Sequence, residues 1–406
     1  MKIAGIWCGH DCSFAVLENG KPLIHAEYER YNREKCPPGD ALKFLSERSP
    51  EHADEIVHYA SVHPVRKTKE YAESFEKALK TAEKNGGKFH FVSHHRAHAA
   101  NAFYSSNLKD AVVLTMDGGG AEDEQGGESA CTLWYGEDNT MKHVRTFRPH
   151  EVNIGGVWSR ITRYIFKLQN GWPKGGQEGT IMAMAALGDE NKYSDDFWRM
   201  LTVDILPSGM KPKDQPVGAT SDRDPKHPYL EPWAAIGRRS EQDRFDLAAS
   251  LQKATEKVIY QLIDFALQSA PNTKNICLSG GVVLNSVAMG KIKTWFGDRV
   301  ENVYIPPVPY DGGLSLGAAQ IVWHEYLGQP RIKWEHNFTP YLGEVWGRDH
   351  FDEVIATKDL TLEECTLDRV TELLSEGNIV SVFHGKSESG RRALGNRSIL
   401  ADPRNP

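Results

Sequence analysis

The sequence predicts an α/β protein that holds a ligand between two lobes. Three observations carry this: short apolar runs end in glycine-rich loops, helical periodicity fills separate stretches, and strand-then-glycine punctuation recurs along the chain. Glycine loops stand at Asp117–Gly120, Ser279–Gly281 and Gly312–Gly313, each beside a strand or helix start. Together they suit a nucleotide whose phosphates meet backbone N–H groups. None is a Walker A or GxGxxG pattern, which disfavours P-loop and Rossmann folds.

The elements follow in order. Lys2 to Trp7 reads as a strand ending in a Gly-His-Asp turn. Ser13 to Leu17 and Pro22 to Ala26 flank Glu18-Asn19-Gly20-Lys21, and Asn-Gly between apolar runs predicts a hairpin. Ala111 to Met116 is a buried strand running into glycines, and Cys131 to Tyr135 is another, with Gly118 to Glu128 as loop or hairpin tip. Apolar residues recur at helical spacing from Phe245 to about Ser269. Asn275 to Leu278 then forms a strand, with a helix beginning near Val282. Leu206 to Arg244 and Pro330 to Glu363 read as irregular. Thr366 to Glu376 is helical in pattern, and Asn378 to Phe383 is a strand.

With 406 residues, two or three domains are expected. The boundaries fall at 1–330 for a two-lobed domain, 331–364 for a linker and 365–406 for the start of a further domain. That last unit is too short for its own core, so a longer protein is expected. A net charge of −7 without a basic run gives no sign of a nucleic-acid surface, although a nucleic-acid substrate stays open. No apolar run is long enough to cross a bilayer, and the N-terminus is broken by Gly9, His10 and Asp11, so a cytoplasmic protein is expected. The six cysteines lack paired spacing and read as reduced structural thiols.

Chemistry gathers in a few places. Ser93 is a good helix N-cap, and His94 and His98 then lie on one helix face, offset by about 40°, where both imidazoles can meet one ion. Two ordinary histidines at that spacing would look the same. Asp117 at a strand end and Asp311 in Pro-Tyr-Asp-Gly-Gly would complete a His₂Asp₂ set suited to Fe²⁺, Mn²⁺ or Zn²⁺. Each aspartate alone reads equally as a turn cap. Lys386, Arg391, Arg392, Arg397 and Arg404 crowd the C-terminal segment with Ser398, either as a phosphate grip or as a solvated basic face.

These pieces resemble the carbamoyltransferase family of the nodulation-factor and antibiotic O-carbamoyltransferases. The similar segments include Gly9–Ser13, Glu27–Arg30, HHRAHAANAFY (94–104), MDGGG (116–120), EGTIMAMAALG (178–188), GGVVLNSVAMGK (280–291), PYDGGLSLGAA (309–319) and RALGNRSILADPR (392–404). The resemblance implies an actin/sugar-kinase-like ATPase fold with duplicated ribonuclease-H-like lobes. A carbamoyl-adenylate-synthase-like α/β domain would follow, of which this chain holds the beginning.

The resemblance also implies an ATP-dependent O-carbamoyltransferase. Carbamoyl phosphate and ATP, with Mg²⁺, would give carbamoyl-AMP and pyrophosphate, and the carbamoyl group would pass to a hydroxyl of a small molecule, sugar or modified nucleoside. His94, His98, Asp117 and Asp311 would hold the divalent metal, and His10 would be the general base. Gly118, Gly119, Gly280, Gly281, Asn285 and Gly312 would line the nucleotide site; Arg392, Arg397 and Ser398 would bind carbamoyl phosphate or the triphosphate. A homodimer stays open. The chain departs from the family pattern at Thr180 (usually Lys), Met184 (Gly), Met289 (Asn) and Arg391 (Pro). Rival readings are a kinase or threonylcarbamoyl transferase of the same superfold, or a nucleotide-sensing ATPase module without group transfer.

Overall fold

Alternating apolar strands in the first part of the chain assemble a five-stranded sheet. Its members are β1 (Lys2–Trp7), β2 (Ser13–Glu18), β3 (Lys21–Glu27), β4 (Ile56–Val62) and β5 (Lys88–Val92). The β2–β3 turn places Asn19 and Gly20 at φ 48° and 82°, the left-handed conformation that Asn-Gly supplies. The computed structural model describes residues 1–62, 69–122, 127–169, 176–202, 230–332, 340–358 and 363–404.

A second five-stranded sheet comprises β6 (Asp110–Glu122), β7 (Gly127–Glu137), β8 (Thr140–Phe147), β9 (Asn275–Ser279) and β10 (Asn302–Tyr304). The two sheets repeat one plan. Their orders are β3-β2-β1-β4-β5 and β8-β7-β6-β9-β10. In each, the first three strands form an antiparallel meander, and the last two run parallel to the first. This is the duplicated ribonuclease-H-like arrangement of the actin and sugar-kinase ATPase fold.

Two helices fill the space between the lobes. His94–Ser105 packs on β6, β7 and β9 of the second sheet, while Leu314–Ile321 packs on β1, β2 and β4 of the first. They also pack on each other, and their contact faces are made of small residues. Gly317 meets the Ala97 carbonyl, where an added Cβ would lie 1.9 Å from the oxygen. Ala97, Ala100, Ala318 and Ala319 are fully buried in the same core. Small side chains let the backbones approach, and that approach brings the two helix N-terminal ends together.

Several expectations change. The run after Asp117 is no simple loop: β6 bulges between Met116 and Gly120, then resumes pairing to Glu122. The helix expected near Val282 is split into a 3₁₀ turn, Gly281–Leu284, and a short helix, Ser286–Gly290, because the Asn285 side chain caps the second. The long helix starts at Glu241, and Glu231–Gly237 is also helical, so the described end of the stretch read as irregular is largely helical; residues 203–229 lie outside the described residues. Arg348–Lys358 forms a helix inside the span read as a linker. That span is also anchored, since Arg331 donates to the carbonyls of Phe103, Ser106 and Leu108.

Near the C-terminal end, Thr366 caps the helix Leu367–Ser375, and β11 (Val380–Phe383) pairs antiparallel with β12 (Arg397–Leu400). No helix among the described residues is long and apolar enough to cross a membrane.

Candidate active site

The cleft between the lobes is built by strand ends and helix starts. The His94–Ser105 helix follows β5, and its first two turns present His94 and His98. Ser93 holds the N-cap position, but its side chain makes no capping bond, contrary to the expectation from sequence. Asp117 projects from the β6 bulge, and Asp311 opens the turn before the Leu314–Ile321 helix.

These four side chains converge. His98 Nε2 lies 3.1 Å from His94 Nε2, 2.9 Å from Asp117 Oδ2 and 3.3 Å from Asp311 Oδ1. His94 Nε2 lies 3.3 Å from Asp117 Oδ2 and 3.6 Å from Asp311 Oδ1. Four donors around one ion at metal–ligand distances of about 2.0–2.1 Å would stand roughly 3.3 Å apart, so the set fits a four-coordinate divalent cation. Without an ion, protons carry the positive charge. Burial disfavours a charged His98, but Asp117 and Asp311 outweigh it and raise its pKa to about 9. Burial likewise opposes ionised Asp117, yet its bonds to His94 and His98 hold the carboxyl well below its ordinary range.

Close glycines make the cluster fit. A Cβ on Gly120 would strike the His94 ring at 2.3 Å, and one on Gly281 would sit 3.1 Å from Asp117 Oδ1. Sequence reasoning missed the Gly120 role, although it stands in the same glycine run. It also passed over His95, which is buried and reaches Thr115 Oγ1 at 2.7 Å and the Ser129 carbonyl at 3.0 Å. That histidine ties the helix to the second sheet. Burial and the neighbouring imidazoles push its pKa down to about 3, so it stays neutral.

His10 borders the cluster. Its Nε2 stands 3.1 Å from Asp311 Oδ2 and its Nδ1 3.0 Å from Asp11 Oδ2. Burial opposes the imidazolium, but Asp311 and Asp11 prevail and raise the pKa to about 9. Trp7 fixes the turn by donating its indole N–H to the His10 carbonyl at 2.6 Å.

Of the other expected site residues, Gly118, Gly281 and Gly312 border the cluster and the rest make contacts of their own. Gly118 and Gly119 lie exposed in the bulge, with the Gly118 amide bonded to Asp117 Oδ1 at 2.6 Å. The Gly280 amide goes to the Pro309 carbonyl at 2.7 Å, and its φ of 95° lets it press on Met116. Asn285 is committed to capping Ala288 N and to paired bonds with Gln252. Gly312 is buried behind Asp311, its carbonyl taken by Ser13 and His25. Arg392 reaches the Leu284 carbonyl of the second lobe at 2.8 Å, while Arg397 turns to the Gly390 carbonyl at 2.7 Å. Arg397 also reaches the Arg392 carbonyl at 3.3 Å, and Ser398 follows it on β12.

Residues 42–320 match the Carbamoyltransferase N-terminus family, and residues 371–406 match the Carbamoyltransferase C-terminus family. The chain belongs to the carbamoyltransferase family. Within it, the chain is 30% identical over 332 residues to the nodulation protein NolNO of Sinorhizobium fredii, covering 79% of this chain and 44% of that protein. It is 24% identical over 423 residues to the 3'-hydroxymethylcephem-O-carbamoyltransferase of Amycolatopsis lactamdurans, covering 99% of this chain and 74% of that enzyme. Among solved structures, full-length HypF in a phosphate- and nucleotide-bound form aligns with 79% of this chain and 55% of its own, at 14% identity and a TM-score of 0.46. The chain spans about half the length of several curated relatives it matches. The His₂Asp₂ cluster lies inside the region that matches the N-terminal family.

Proposed function

We propose that this carbamoyltransferase is the transfer part of an ATP-dependent O-carbamoyltransferase. The observation that carries the reading is the convergence of His94, His98, Asp117 and Asp311 with His10 set against Asp311.

In the full-length protein, carbamoyl phosphate, ATP and water would give carbamoyl-AMP, pyrophosphate and phosphate. Carbamates are poor acyl donors, and the adenylate supplies a good leaving group. An acceptor hydroxyl then attacks the carbamoyl carbon, the C–O bond to AMP breaks, and the hydroxyl proton passes to His10. Asp11 accepts from His10 Nδ1 and so orients the ring, leaving Nε2, which stands 3.1 Å from Asp311 Oδ2, as the nitrogen that would take the proton once a cation engages Asp311. A divalent cation held by the four ligands would supply positive charge against the departing AMP phosphate and against the carboxylates that otherwise keep His10 protonated. The acceptor class is a hydroxyl-bearing small molecule, sugar or modified nucleoside.

The test uses the full-length protein with ATP, carbamoyl phosphate and Mg²⁺ after loading with Fe²⁺, Mn²⁺ or Zn²⁺. Pyrophosphate release that requires carbamoyl phosphate, followed by a mass gain of one carbamoyl group on a pooled hydroxylated acceptor, is the expected result. ATP turnover indifferent to carbamoyl phosphate would sink the proposal and favour a kinase or a nucleotide sensor.

A further inference from the structure

The C-terminal segment carries Arg391 back to the first lobe. There its Nη2 bonds Asp11 Oδ1, lies 3.0 Å from Cys36 Sγ, and the guanidinium stacks 4.4 Å from the centre of the Tyr310 ring. Tyr310 immediately precedes Asp311. Arg391 therefore touches both sides of the His10 environment: Asp11 through an ion pair, and the Asp311 turn through the ring before it.

The backbone beside Arg391 is clamped. The Gly390 amide donates to Glu27 Oε2 at 2.8 Å, and Glu27 Oε1 accepts from the Tyr310 hydroxyl. The Gly390 carbonyl accepts from both Arg30 and Arg397. Gly390 has φ 96° and presses on the Pro307 carbonyl, where a Cβ would lie 2.3 Å from the oxygen. A turn held at each backbone group one residue away leaves little freedom in where the Arg391 side chain begins.

We infer that Arg391 is a positioning residue for His10. It occupies one oxygen of Asp11, so that the other is presented to His10 Nδ1, and His10 Nε2 is thereby kept at Asp311. The route runs Arg391–Asp11–His10–Asp311 and ends on a candidate metal ligand. Docking of the C-terminal segment is thus coupled to the geometry of the transfer site. The inference uses the carbamoyl-transfer reading for what His10 does, not for how His10 is held.

The test reads His10 directly. Full-length, Zn²⁺-loaded protein labelled with ¹⁵N-histidine is examined by long-range proton–nitrogen correlation, the His10 ring being assigned from His10→Asn. Arg391→Ala should shift or broaden the His10 ring signals, and Arg391→Lys should restore part of the change. Asp11→Asn should give a similar disturbance, and the double variant should add nothing to it, as expected for two members of one chain of contacts. In the transfer assay, Arg391→Ala should lower kcat by about tenfold to a hundredfold, the range seen when an outer partner of a site is lost, with acceptor KM nearly unchanged. His10 signals identical to wild type in a folded Arg391→Ala protein, or additive effects in the double variant, would overturn the inference. If Arg391→Ala does not fold, Arg391→Lys and Arg391→Gln carry the same comparison. If wild type transfers no carbamoyl group while the ring signals still respond, the positioning role stands and the function proposal falls.

Discussion

Asp311 divides its carboxylate between two histidines of different purpose: Oδ1 lies 3.3 Å from His98 Nε2, and Oδ2 lies 3.1 Å from His10 Nε2. One carboxylate thus joins the His₂Asp₂ cluster to the proposed base. Anything that moves the Asp311 turn moves both.

The cluster should bind one divalent cation, and losing a ligand should be visible without any activity assay. His98→Ala and Asp117→Asn are each expected to lower metal content measured by elemental analysis, with affinity falling by at least about tenfold. Metal present at roughly a hundred times its Kd should stabilise the wild-type fold by about 2.7 kcal/mol, so chelation should lower Tm. Unchanged stoichiometry in both variants would remove the quartet as a site.

His10→Asn should leave His94, His98, Asp117 and Asp311 unaltered while removing the proposed proton acceptor. The expected loss in transfer to the acceptor is about 10²- to 10⁴-fold, the range for removing a general base. Carbamoyl-phosphate-dependent pyrophosphate release should stay within a few fold. Equal loss in both half-reactions would place His10 outside the transfer step.

Asp246 sets an acid limit on stability. Its Oδ1 accepts from the Asp189 amide and from Gln242, each at 2.9 Å, and its Oδ2 pairs with Lys192 at 2.8 Å. Burial raises its pKa, but these three partners win and lower it from 3.8 to about 2. Because the folded value lies below the unfolded one, the contribution is complete above the unfolded pKa and fades as pH falls from about 4 toward 2. Asp246→Asn should therefore lower the urea midpoint at pH 6 and differ less from wild type near pH 3. A gap that stays constant between those pH values would contradict this.

What the sequence showed depended on whether the cause was local. The β2–β3 hairpin is written in Asn19-Gly20, and the long helix in its apolar spacing, so both were legible. His94, His98, Asp117 and Asp311 were legible as candidates because they sit in three short motifs, although their convergence needs the packing of two helices between two sheets. The Arg348–Lys358 helix carries a short apolar set, Phe351, Val354 and Ile355, inside a charged stretch and buries none of it. The bulge after Asp117 depends on the register against β7, and the Asp11–Arg391 pair joins positions 380 residues apart. Neither leaves a periodic trace.

Gly317 tests the packing that creates the site. The His94–Ser105 and Leu314–Ile321 helices approach at this residue, where a Cβ would meet the Ala97 carbonyl oxygen at 1.9 Å, its carbon at 2.8 Å and the Asn101 amide at 3.1 Å. Backbone atoms on a buried helix cannot swing aside as a side chain can, so the helices must separate. Gly317→Ala is expected to cost about 1–3 kcal/mol in urea unfolding, as overpacking a dense core does. One helix carries His94 and His98, and the other begins just after Asp311, so separation also widens the ligand set. Zn²⁺ affinity, measured by chelator competition on the folded variant, should fall although no ligand has been altered. Lost stability with undiminished Zn²⁺ affinity would mean that the strain relaxes away from the cluster, and the helix contact would then not govern its geometry.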